Sequence, residues 1–112
     1  MKYLLVVGIL ALLIFAPAAA AQSSRINTVD PETGKAGDLI AANGEGMDKT
    51  RVVELYLTDG TTDFKVHIME QSDTVIKFKV PAAVKPGRWA LMIKTGGDQP
   101  RLLEQPVKIT VE

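Results

Sequence analysis

Beyond residue 50 the apolar side chains of this chain recur at every other position, and that period of two constrains the fold more than any other feature. Val53, Leu55 and Leu57 alternate with Glu54 and Tyr56. Phe64, Val66 and Ile68 alternate with Lys65 and His67, and Ile76, Phe78 and Val80 with Lys77 and Lys79. Trp89, Leu91 and Ile93 alternate with Ala90 and Met92, and Val107, Ile109 and Val111 with Lys108 and Thr110. In an extended chain successive side chains point to opposite faces, so each set predicts a strand with one apolar face. Two weaker strands precede these, Arg25–Val29 and Asp38–Asn43, the first with Ile26 and Val29 inward and the second with Ile40 and Ala42. Turn residues separate them: Asp30-Pro31-Glu32-Thr33-Gly34, Asn43-Gly44-Glu45-Gly46, a tight hairpin at Asp59-Gly60, Gln71-Ser72-Asp73, Pro86-Gly87, and Gly96-Gly97-Asp98-Gln99-Pro100. No amphipathic helix of useful length interrupts them. The expectation is an all-β domain of about seven antiparallel strands, packed as two sheets face to face, with a small closed barrel as the alternative.

The N-terminus is different. Lys2 precedes an uncharged apolar run from Tyr3 to Phe15, followed by Ala16-Pro17-Ala18-Ala19-Ala20-Ala21. A positive start, an apolar middle and a small-residue end make the layout of a secretory signal peptide. Residues 1–21 are therefore expected to be a signal-peptide helix, cut after Ala21, leaving a domain over residues 22–112. The alternative is an uncleaved helix that anchors the chain, since the stretch from Tyr3 to Ala21 is about long enough to cross a bilayer. The expected location is the periplasm or the extracellular space, with no membrane contact once the leader is removed.

Composition removes several functions. The 112 residues include no cysteine, so disulfides, thiolate zinc sites and thiol nucleophiles are excluded, and the exported domain must hold together through its core alone. One histidine is too few for the common multi-histidine metal sites. The 13 basic and 13 acidic side chains balance, so the basic footprint of a nucleic-acid binder is missing. Loss of Lys2 with the leader tips the remainder slightly acidic.

An ordered set of motifs then resembles a known family. Ile26-x-x-Val29-x-Pro31-x-x-Gly34-x-x-Gly37 opens it and Gly44-x-Gly46-Met47 follows the second strand. Asp73-Thr74-x-Ile76-x-Phe78-x-Val80-Pro81 and Pro86-Gly87 lead into the Trp89 strand. This pattern resembles the IPT/TIG domain and runs from about Arg25 to Glu112. The resemblance implies an immunoglobulin-like β-sandwich, with Met47 standing where the family usually has an aromatic residue. It brings no catalytic residue. The family usually occurs as one module of a larger protein, whereas here it makes up nearly the whole chain after the leader.

The candidate sites are few. His67 falls on the outward face of its strand, and Ser23, Ser24 and Ser72 lie in linker or turn positions, so no nucleophile–base pair is expected. Asp59, Asp63, Asp73 and Asp98 lie near turns but lack calcium-loop spacing, and turn hydrogen bonding accounts for them. Gly44-Glu45-Gly46-Met47-Asp48-Lys49 starts like a phosphate loop, without the third glycine or a following helix. The outward apolar residues Val52, Tyr56, Met69, Val75 and Met92 are the candidate interaction surface. The first and last strands are candidate sheet edges, with Pro106, Lys108 and Glu112 guarding against uncontrolled pairing. The expected function is a non-enzymatic, exported binding module with a protein or glycan partner and no cofactor. The alternative is a spacer or a homo-oligomeric assembly subunit. An accessory role in carbohydrate processing is the weakest option, because no paired carboxylates are recognisable.

Overall fold

The computed structural model describes residues 23–112, so the expected leader at 1–21 lies outside the described residues. Within them the chain forms nine strands in two sheets. One sheet contains β1 (Arg25–Asp30), β3 (Leu39–Glu45), β7 (Val75–Lys79) and β6 (Ile68–Gln71), in that order. The other runs β2 (Thr33–Gly34), β9 (Leu102–Val111), β8 (Gly87–Thr95), β4 (Val52–Thr58) and β5 (Asp63–Lys65). The inward residues of both sheets meet in one apolar core that includes Ile26, Ile40, Leu55, Leu57, Ile76, Phe78, Trp89, Leu91, Ile93 and Ile109. Met47, in place of the expected aromatic, is fully buried among them. Its flexible thioether fills the position without a ring.

The strand count and direction differ from expectation. The strand expected over Phe64–Ile68 is two strands in different sheets, β5 and β6. Val66 lies at the crossing, buried, with its N–H donating to Leu55 O at 2.9 Å. Alternation survives because the core lies between the sheets, so a chain passing from one to the other keeps the same face inward. The Asp59-Gly60 hairpin is also looser than expected. Thr58 pairs with Asp63, so the connection is the loop from Asp59 to Thr62. β2 adds a further strand and runs parallel to β9 through Thr33↔Thr110 and Gly34↔Val111.

Bulges explain the other departures. The β4–β8 register shifts between Val52 and Glu54. An extra residue there reverses the alternation. Val52 is 1% exposed and belongs to the core, whereas Val53 is 45% exposed, the reverse of the expected facing. A second irregularity, between Ile26 and Thr28, lets Ile26 and Val29 both face inward. There β1 crosses β3 so closely that a side-chain carbon on Gly44 would lie 1.8 Å from Arg25 O. Only glycine fits that crossing.

The last strand is not an edge. β9 lies between β2 and β8, and the β8–β9 register shifts between Ala90 and Met92, opposite the stretch holding Pro106. Proline lacks the N–H that a regular ladder needs, and a bulge relieves that demand. Lys108 pairs with Ala90 inside the sheet and does not guard an edge.

Two glutamines join the sheets where the sandwich would otherwise open. Gln105 on β9 is 7% exposed, and its Oε1 accepts from the buried N–H of Ile26 on β1 at 2.7 Å. Its Nε2 donates to Leu103 O at 3.1 Å. Gln71 on β6 sends Nε2 to Met47 O and to Val52 O on β4, both at 2.8 Å. Replacing Gln105 with Leu strands the Ile26 N–H in a dry site. The expected cost is about 1–3 kcal/mol in chemical denaturation. An unchanged midpoint would mean that Ile26 finds another acceptor.

Candidate functional site

The five outward candidates separate into three groups. Val52 is in the core, displaced there by the β4 bulge. Tyr56 and Met92 are directly opposed across β4 and β8, on the outer face of the five-stranded sheet. Met69 and Val75 lie on β6 and β7 of the other sheet, Met69 within the β6–β7 register shift. The five therefore form no single patch. Met92 is outward as expected, yet only 9% exposed, because the central strand β8 is flanked on this face by Tyr56 and Glu104. Met69 remains 45% exposed. Alternation did not single out Leu39, Val53 and Leu102, which are also exposed.

The Tyr56–Met92 face is bounded by charge. The Tyr56 hydroxyl donates to Glu54 Oε1. Glu54 Oε2 lies 3.1 Å from Lys65 Nζ, and Oε1 lies 3.8 Å from Lys94 Nζ. The Tyr56 hydroxyl and the Lys65 ammonium hold the Glu54 carboxyl below its ordinary 4.5. Accepting that hydrogen bond, Glu54 pushes the Tyr56 phenol above its ordinary 10.0. This is a self-satisfied network on a sheet surface, with no group left over to act on a ligand.

The glycine loop is spent on structure. Gly44 N donates to Thr74 O and Met47 N to Asp73 O, each at 2.9 Å, so these amides are not free to cradle a phosphate. Asp48 accepts from the Thr50 hydroxyl and lies 3.4 Å from Arg51 Nε. His67 is exposed between β5 and β6, and Ser24 Oγ is donated to Gly46 O. The four turn aspartates are distributed along the chain, Asp59 and Asp63 at one hairpin and Asp73 and Asp98 at two others. Among the described residues no three His, Asp or Glu side chains gather as metal ligands.

A cleft of about 470 Å³ opens where the β4–β5 loop meets the start of β8. Phe64 and Trp89 form its apolar wall, packed edge to face with ring centres 5.5 Å apart and planes at 69°. Edge-to-face contact suits the ring quadrupoles and fixes both rings. Trp89 Nε1 donates to Lys85 O at 2.9 Å, and Val84 is buried in the core, so the connection carrying Lys85 and Pro86 is tied down. The opposite lip is Asp59 and Thr62. Asp59 Oδ1 accepts from the N–H groups of Thr61 and Thr62 at 2.8 and 2.7 Å. Those two bonds, Thr62 first, lower the Asp59 carboxyl below its ordinary value. Arg88 completes the rim and also borders a smaller hollow of about 110 Å³ with Glu104 and Lys108. Sequence reasoning placed Trp89 and Phe64 in the core and missed this cleft. The one available signal was that Asp59 and Pro86-Gly87 are turn residues next to aromatic strand starts.

Two sheets in this strand order around one core form an immunoglobulin-like arrangement. Residues 24–110 match the family model of the IPT/TIG domain, nearly all of the described chain. The chain belongs to the IPT/TIG family. A comparison with curated proteins finds no match. Among solved structures, the IPT/TIG chain is similar to a Bacteroides thetaiotaomicron protein of unknown function, with TM-score 0.68 and 17% identity. That match covers 83% of this chain and 22% of the other. It is also similar to SGBP-B of the Bacteroides ovatus mixed-linkage glucan utilization locus, solved with a mixed-linkage heptasaccharide (TM-score 0.57, 17% identity, 81% of this chain and 24% of that one). A third is a Bacteroides vulgatus protein described as a candidate bacterial DNA-binding protein, with TM-score 0.62 and 16% identity. It is covered to 48%, against 82% of this chain. This chain thus spans less than half the length of each of these proteins, and at such identity the likeness is one of fold.

The Glu54 network yields a pH test. A carboxyl whose pKa is lowered by folding adds stability above its ordinary 4.5, and that stability fades as pH falls through the lowered value. A phenol whose pKa is raised adds stability that is complete below 10.0 and fades as pH climbs through the raised value. Denaturation of wild type and Glu54→Gln should therefore differ most between these limits and converge in acid. A gap that persists unchanged well below pH 4.5 would show that the network does not titrate this way.

Proposed function

We propose that this IPT/TIG domain is an exported, non-enzymatic binding module of the cell envelope or extracellular space, with a glycan or protein ligand seated in the Phe64–Trp89 cleft. The cleft is the observation that carries this reading. It combines a rigid aromatic wall with charged and hydroxyl groups on its rim, the usual make-up of a ligand site, and its volume falls in the usual range of about 300–1,000 Å³. Nothing around it resembles a nucleophile activated by a base. The apolar leader expected at residues 1–21 supports export, and the balanced charge argues against the phosphate backbone of a nucleic acid. If export holds, the protein recovered from the envelope or medium should begin near Gln22 by mass spectrometry. A specific partner should co-purify with it. Thr62→Trp, which fills the cleft from an exposed lip, should leave thermal unfolding unchanged and abolish that recovery. Recovery that is indifferent to a filled cleft would move the binding site elsewhere.

A second reading, an assembly subunit built from copies of this chain, rests on Met69. This residue is an exposed apolar side chain on β6, an edge strand of its sheet. Edge strands can pair with another chain. The assembly reading expects a mass above one chain in light scattering at high concentration, reverting to one chain in Met69→Lys. A strict monomer at all concentrations removes it.

A further inference from the structure

We infer that the Phe64–Trp89 cleft takes an acidic sugar, a uronic-acid unit of a polysaccharide, with its carboxylate held by Lys85 and Arg88; this rests on the binding-module reading above. The first observation is charge. Four ion pairs join described residues, Arg51 to Asp48, Lys65 to Glu54, Lys77 to Glu70 and Lys94 to Glu54, and none involves Lys85 or Arg88. Both cations are exposed at the rim of one cleft. The rim's acid, Asp59, is already engaged, its Oδ1 accepting two loop amides. The cleft therefore sets two cations that join no ion pair against the Asp59 carboxylate, with Glu104 bordering the adjoining hollow that Arg88 shares. A planar guanidinium beside an ammonium is well suited to a carboxylate, which the guanidinium can grip through two parallel N–H bonds.

The second observation is the wall. Phe64 is half-buried and backed edge-on by Trp89. A ring held in this way presents a fixed apolar surface to the C–H face of a sugar, while the Thr62 hydroxyl lies on the facing lip. A phosphate group fits less well, because it favours a nest of free backbone amides, and the loop amides of Thr61 and Thr62 are already donated to Asp59. A peptide fits less well too. The neighbouring edge strand β5 has only 3 residues, which leaves little ladder for an added strand.

The test is affinity electrophoresis of the purified protein through gels carrying polygalacturonate, alginate or an uncharged mixed-linkage β-glucan. The expected result is retardation by an acidic polymer, weakening as salt is raised, with little retardation by the neutral glucan. The double variant Lys85→Ala/Arg88→Ala should weaken retention at least tenfold. Its fold should be unaffected, because both side chains are exposed. The double variant Lys77→Ala/Lys79→Ala, on the outer face of the other sheet, should retain the polymer like wild type, which separates a site from diffuse charge attraction. Retention by neutral glucan that is lost in Thr62→Trp would overturn the acidic-sugar assignment and leave the cleft a glycan site. Equal loss in both lysine-containing double variants would overturn it as well, as would retention by none of the polymers. Capture instead of a peptide with a free C-terminal carboxylate, lost in Lys85→Ala/Arg88→Ala, would transfer the cleft to a protein partner.

Discussion

A single apolar layer, buried between two sheets that no disulfide joins, is the constraint on which the rest of this structure depends. The chain has no cysteine, so apart from the segments that cross between the sheets only packing and hydrogen bonding keep them together. Packing alone serves the middle of the sandwich, where Phe78, Leu91 and Ile93 meet out of water. It serves the open flanks less well, because an edge strand there presents backbone groups without ladder partners. Gln105, buried, answers this on the β1 flank by bonding Ile26 N–H, and the half-buried Gln71 answers it on the β6 flank by bonding Val52 O on β4 and Met47 O in the preceding loop. Satisfied in this way, a buried polar group fixes the alignment of the two sheets, whereas left unpaired it would weigh against folding.

Much of this was legible in the sequence. The alternation along β3, β7 and β8 gave the inward faces correctly, with Ile40, Ala42, Ile76, Phe78, Trp89, Leu91 and Ile93 all buried. Alternation reports which side of a strand meets the core and carries no information on which strand lies beside it. That is why Phe64, Val66 and Ile68 read as one strand although the chain changes sheets among them. It is also why the last strand could be taken for an edge. An inserted residue is invisible to a period-two pattern, so Val52 and Val53 exchanged faces. Ile26 and Val29, both expected inward, are both buried because the irregularity in β1 brings them to one face.

The candidate site was harder to read for a different reason. Its walls come from Asp59–Phe64 and Lys85–Trp89, segments that are neighbours only because β4, β5 and β8 belong to one sheet. Each segment alone looks like a turn followed by a core aromatic. By contrast, the apolar outward residues were visible one by one, but Tyr56 and Met92 belong to one sheet and Met69 and Val75 to the other. Strand order, which sets such groupings, follows from the whole topology.

The indole bond from Trp89 to Lys85 O makes the two sides of the cleft unequal. The aromatic side is continuous with the core, so a residue that changed its shape would also disturb the folding of the domain. The Asp59–Thr62 side is an exposed loop that closes on its own backbone through the Asp59 carboxylate. That loop, and the exposed side chains of Lys85 and Arg88, can change without disturbing the core, whereas Trp89 and its tether are fixed by the demands of stability. Relatives with different ligands should therefore differ in that loop and at the positions of Lys85 and Arg88, and keep the tryptophan and its tether.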